Sequence, residues 1–198
     1  MKKTLLISAF AGCGKTWLVK NQERFKYSMR DSDSSTYEKT EGWEKRYIEN
    51  ILQQVNSGKY DFIFMCQTES VLKEMDTQEI PYVIVEPDNI IWNELETSER
   101  KKQRQLIKQQ WVGRLVLRSN EHIKDFDKWF KHIKEIYDER TSLDFIDRHK
   151  PVSFFVLNQD QYLSDIIDDL YWKKESNSSF TCHSGSKLTE MNFFNPAH

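Results

Sequence analysis

The 198-residue chain has only three cysteines, four prolines and six glycines. Cys13, Cys66 and Cys182 are odd in number and far apart. They exclude a disulfide framework and any CxxC-type metal spacing, and they suit a reducing, cytoplasmic setting. No stretch approaches the roughly 18 apolar residues of a membrane-crossing helix. The apolar run Leu5 to Ala11 is too short and too broken, by Ser8, for a secretory signal. Neither sign of charge dominates: 29 Lys plus Arg against 31 Asp plus Glu gives a formal −2. There is thus no global basic field to hold long nucleic acid, although a local basic patch stays open. His122, His132, His149, His183 and His198 form no ligand cluster and read as surface residues. What the chain does have is 12 Phe, 8 Tyr and 6 Trp, enough bulky core material to exclude wholesale disorder.

The first 90 residues alternate between strand and helix patterns. Thr4 to Ala9 is an apolar run of the buried-strand kind, and a helix follows over Lys15 to Glu23. A second strand is expected over Phe25 to Met29, then a polar loop from Arg30 to Ser35. Trp43, Tyr47, Ile48, Ile51, Leu52 and Val55 mark one face of a helix that stops near Gly58. Asp61 to Cys66 and Tyr82 to Val85 are further strands, with a short helix, Ser70 to Met75, between them. Such alternation predicts a parallel sheet with helices on both faces. Residues 92 to 140 hold Gly113 as their one glycine and no proline, and read as two or three helices. A last strand over Val152 to Leu157 and a last helix over Tyr162 to Leu170 complete a domain spanning 1–172. From Lys173 to His198 the composition turns polar and tail-like.

The sharpest local pattern is Ala9-Phe10-Ala11-Gly12-Cys13-Gly14-Lys15-Thr16, a Walker A sequence with Ala9 in place of the first glycine. It lies between a strand and a helix, the context that gives such a motif meaning. Gly12 and Gly14 let the backbone N–H groups of Ala11 to Trp17 approach a triphosphate closely. Lys15 is expected to reach the β- and γ-phosphates of ATP, and the Thr16 hydroxyl to ligate Mg²⁺. The helix start directs its dipole at the anion. Cys13 reads as filler without chemistry of its own.

Asp31-Ser32-Asp33 follows the second strand, at the sheet edge where ligands of open α/β folds bind. One carboxylate, Asp31, suits the metal; the other, Asp33, suits orientation of an acceptor hydroxyl. The alternative is a solvated turn in which Asp and Ser residues cap a helix. The third strand ends without a carboxylate. Gln67, Thr68 and Glu69 follow it, Glu69 as a substitute acid and Gln67 or Thr68 as substrate contacts. Arg100, Lys101, Lys102 and Arg104 read as a solvated helical face. Arg114 and Arg118, four residues apart, share a face from which a closing lid would bring them to the transferring phosphoryl group.

The Walker A start, Asp31 to Tyr37, Gly42-Trp43 and Tyr47-Ile48-Glu49 together resemble a family of small bacteriophage P-loop proteins. These are described as nucleotide or nucleoside-monophosphate kinase-like. The similarity continues through Tyr60 to Phe64, Tyr82 to Pro87, Arg114 to Asn120, Phe126 to Trp129 and Gln161 to Ile167, roughly residues 3 to 170. The resemblance implies a P-loop NTPase fold of the nucleotide-kinase type: a five-stranded parallel sheet flanked by helices, with a helical lid at about 93–120. It implies ATP- and Mg²⁺-dependent phosphoryl transfer to a small acceptor such as a (deoxy)nucleoside monophosphate. A nucleotide-binding phage accessory protein that acts on a host partner, with little turnover, is the competing expectation.

Overall fold

A computed structural model describes residues 3–87, 98–117, 127–128, 130–131, 148–158, 160–176 and 183–184. Five parallel strands form the sheet: β1 (Leu5–Ala9), β2 (Met29–Asp31), β3 (Phe62–Met65), β4 (Val83–Pro87) and β5 (Ser153–Leu157). Their order is β2-β3-β1-β4-β5, and a two-residue parallel strand, β6 (His183–Ser184), adds to the β5 edge. The helices are α1 (Lys15–Lys20), α2 (Trp43–Asn56), α3 (Glu69–Thr77), α4 (Ser98–Leu117) and α5 (Leu163–Ser176).

Side chains of successive strand residues leave a sheet on opposite faces. In β1, Leu5, Ile7 and Ala9 join a core with Leu18, Trp111, Leu115, Leu163 and Ile167 from α1, α4 and α5. Leu6 joins the opposite core with Tyr47, Ile48, Ile51, Val71 and Leu72 from α2 and α3. Both faces are therefore covered, which is why the strands read as near-continuous apolar runs. No helix among the described residues is long and apolar enough to cross a membrane.

Three expectations change in detail. The second strand forms over Met29–Asp31, later than the Phe25 to Met29 alternation indicated. Its register against β3, with Met29 opposite Phe62 and Asp31 opposite Phe64, is favoured because Asp61 accepts from both the amide and the hydroxyl of Ser28, each at 2.9 Å. The last helix runs on to Ser176, past the composition change at Lys173. The expected helices between residues 118 and 147 lie outside the described residues, except for the helical pieces 127–128 and 130–131.

His149 corrects the expectation of surface histidines, because its side chain is 1% exposed. Its Nδ1 lies 2.8 Å from Asp76 Oδ2 at the end of α3, while the buried Tyr82 hydroxyl donates to Asp76 Oδ1 at 2.7 Å. The Lys150 amide donates to the same oxygen at 3.1 Å. One carboxylate thus ties α3 to the entries of β4 and β5, a long-range convergence that spacing along the chain does not reveal. Replacing Asp76→Ala strands the Tyr82 hydroxyl and the His149 imidazole in a dry site. The expected loss is about 2–3 kcal/mol of unfolding free energy, the scale of a hydrogen bond to a charged partner, read from urea denaturation.

Candidate functional site

The turn between β1 and α1 sits at the carboxyl end of the central strand. There β1 has β3 on one side and β4 on the other, the crevice position where open parallel sheets hold ligands. Gly12 has φ +82 and Gly14 φ +96, left-handed values that disfavour any side chain. Gly14 is the residue from which α1 starts. The Lys15 ammonium folds back over the turn and donates to the carbonyl of Ala9 and, at 3.1 Å, to that of Phe10. The Thr16 hydroxyl donates to Asp31 Oδ2 at 2.8 Å, across the gap from α1 to the last residue of β2. Lys15, Thr16 and Asp31 are thus brought to one sheet edge.

A roof closes over the glycines. Trp111, fully buried, donates from Nε1 to the Ala11 carbonyl at 2.6 Å. A Cβ on Gly12 would lie 3.0 Å from Trp111 Nε1 and 3.1 Å from Leu115 Cδ2. Tyr162 lies over Gly14, where an added Cβ would be 3.4 Å from its ring. The Leu163 amide donates to the Cys13 carbonyl at 3.0 Å. The Arg114 guanidinium stacks 3.8 Å from the centre of the Tyr162 ring and donates to the Gln161 carbonyl at 2.8 Å. Gln110 and Asp160 exchange two hydrogen bonds, at 2.8 and 3.0 Å. These contacts clamp α4 to the 158–162 segment. The stretch expected as a lid therefore contains a helix packed down on the turn, with Arg114 in its contact face; Arg118 lies outside the described residues.

The remaining expected site residues are placed as follows. Asp33 is exposed, and its Oδ1 accepts from the Ser35 amide at 2.8 Å, capping the short turn Ser34–Thr36. Trp17 is 48% exposed, with its ring edge-on to Phe25 and the Arg24 guanidinium 5.8 Å above it. Glu69 forms an exposed ion pair with Arg148 at 3.1 Å. Among the described residues no three His, Cys, Asp or Glu side chains gather as a metal centre. Mg²⁺ needs no such cage, since it commonly takes one or two protein ligands and completes its shell with phosphate oxygens and water. A hydroxyl and a carboxylate beside a phosphate-sized turn fit that donor set.

Two site residues went unassigned in the sequence. Glu86 is buried at the end of β4, and its charge acts on the Cys13 thiol. The rule that drew attention to Asp31, a carboxylate ending a strand, applies equally to Glu86. Tyr162 had no comparable signal, because it reaches Gly14 from a segment nearly 150 residues away. The chain matches no family model, no curated protein and no solved structure.

Cys13 is 1% exposed, and burial pushes its thiol up to about 12, against the smaller opposing pull of Lys15 and Arg114. Its ordinary value is 9.0. Between those two pH values the unfolded chain releases a proton that the folded chain keeps. Stability is fully present below pH 9.0 and falls as pH rises toward about 12, by up to about 1.4 kcal/mol per pH unit from this group. The thiol is also expected to resist iodoacetamide at pH 8 until the protein is unfolded. Mass spectrometry of the labelled peptides checks this.

Proposed function

We propose that the chain binds ATP with Mg²⁺ through residues 11–17 and transfers the γ-phosphoryl group to a small acceptor, a (deoxy)nucleoside monophosphate being the leading class. The five parallel strands then represent a P-loop NTPase fold of the nucleotide-kinase type, with α4 as part of its lid. The observation that carries the proposal is the 2.8 Å Thr16–Asp31 contact beside a lysine held over two left-handed glycines. A Gly-rich turn with a surface lysine has no reason to bring a strand-end carboxylate to that hydroxyl.

The residues divide the work. Lys15 exchanges the Ala9 and Phe10 carbonyls for phosphate oxygens and stabilises charge developing there. Thr16 and Asp31 hold Mg²⁺, which neutralises phosphate charge when bound. Arg114, already fixed against Tyr162 and Gln161, supplies a second cation from above. The acceptor oxygen forms a bond to the γ-phosphorus while the bond to the bridging oxygen breaks. That electron pair leaves with ADP, and the acceptor's proton passes to a carboxylate or to water. Asp33 is the candidate to orient the acceptor, through the carboxylate oxygen that is not engaged with Ser35.

A nucleotide-binding accessory protein with little turnover is the second reading. It is favoured by the use of Asp33 as a cap and by the lack of a carboxylate at the end of β3. A screen of nucleoside monophosphates and small hydroxy compounds, following ADP release and product mass, separates the two. In it Lys15→Ala is expected to lower turnover by at least about 10²-fold while the fold survives. Equal ATP affinity of Lys15→Ala and wild type by calorimetry would remove the turn from the mechanism.

A further inference from the structure

Gln67 follows β3 by two residues. The Ser8 hydroxyl donates to the Cys66 carbonyl at 3.2 Å, and Ser8 stands opposite Met65 in the β1–β3 register. Gln67 therefore emerges beside the end of β1, where the glycine turn begins. On its other side the Ser32 amide donates to the Phe64 carbonyl at 2.8 Å, and the Tyr47 hydroxyl bridges the Ser32 carbonyl, at 2.7 Å, and the Cys66 amide, at 3.1 Å. The backbone around Gln67 is thus fully engaged and rigid. Its side chain is not: both Oε1 and Nε2 are shut off from solvent and have no hydrogen-bond partner.

A buried amide with neither its donor nor its acceptor satisfied is costly, and proteins retain such groups chiefly where a ligand completes them. The neighbouring carboxylates are otherwise engaged. Asp31 faces Thr16, Asp33 caps Ser35, and Glu69 pairs with Arg148. We infer that the Gln67 carboxamide is a positioning residue for the hydroxyl that attacks the γ-phosphorus. Its Oε1 accepts the proton side of the attacking water or acceptor hydroxyl, and its Nε2 donates to an oxygen of the transferring phosphoryl group. The amide takes no proton itself. An amide supplies both contacts at once, whereas a carboxylate would repel the phosphoryl oxygens. This inference rests on the ATP-binding reading and adds the residue that holds the second reactant.

The test uses the full chain with ADP, Mg²⁺ and aluminium fluoride, a mimic of the transferring phosphoryl group with an attacking water in line. Aluminium fluoride is expected to slow release of labelled ADP from the wild type. Gln67→Leu should keep ADP·Mg²⁺ affinity within about twofold and lose about tenfold or more of the fluoride-dependent retention, since only the transition-state contact is removed. Without nucleotide, its melting temperature should equal or exceed that of the wild type, because the amide has no partner to lose. Equal fluoride-dependent retention in both proteins overturns the inference. So does wild type that binds ADP·Mg²⁺ but shows no fluoride effect, and so does a lowered melting temperature, which would reveal a structural partner. Wild type that binds no ADP·Mg²⁺ would fail the ATP-binding reading first, and this inference with it.

Discussion

The turn from β1 into α1 exists because residues 12 and 14 carry no side chain. At φ +82 and +96 an L-residue would be strained, and above Gly12 the Trp111 indole and Leu115 leave no room for one. Two independent constraints, backbone conformation and packing, fall on the same short segment. The docking of α4 depends on it, since Trp111 is at once a fully buried core residue and the donor to the Ala11 carbonyl. So does the placement of Tyr162 over Gly14, and through Tyr162 the stacking of Arg114.

The same packing explains the electrostatics of the edge. Cys13 lies inside the turn, away from water, so its thiol stays protonated although Lys15 and Arg114 favour the thiolate. Lys15 is different: its ammonium rests on backbone carbonyls of its own turn, partners that an anion can displace. Asp31 reaches Thr16 because β2 ends one residue earlier than Ser32, whose amide is engaged with β3. A strand ending elsewhere would have turned that carboxylate away from α1.

Much of this was legible in local pattern. The apolar runs located the strands because a sheet covered on both faces needs no alternation, and the 3.6-residue face of α2 survives as Trp43, Tyr47, Ile48 and Ile51 in the core. The turn and Asp31 were legible because the chemistry demands those residue types after strands. What escaped was long-range. His149 was read as exposed because nothing near it in the chain announces Asp76. Glu86 passed as part of an apolar strand. Asp33 and Asp31 looked equivalent in sequence, yet one caps a turn and the other meets Thr16. Trp111 and Leu115 were legible as packing positions, but not as the cover of the turn.

The central claim is that Thr16 and Asp31 form a Mg²⁺ seat beside a triphosphate held by Lys15. Calorimetric titration of ATP with and without Mg²⁺, in wild type and Thr16→Val, addresses it directly. The account predicts that Mg²⁺ strengthens ATP binding to the wild type, that Thr16→Val loses most of this increment, and that its Mg²⁺-free affinity stays near the wild-type value. An equal Mg²⁺ increment in the two proteins would contradict it.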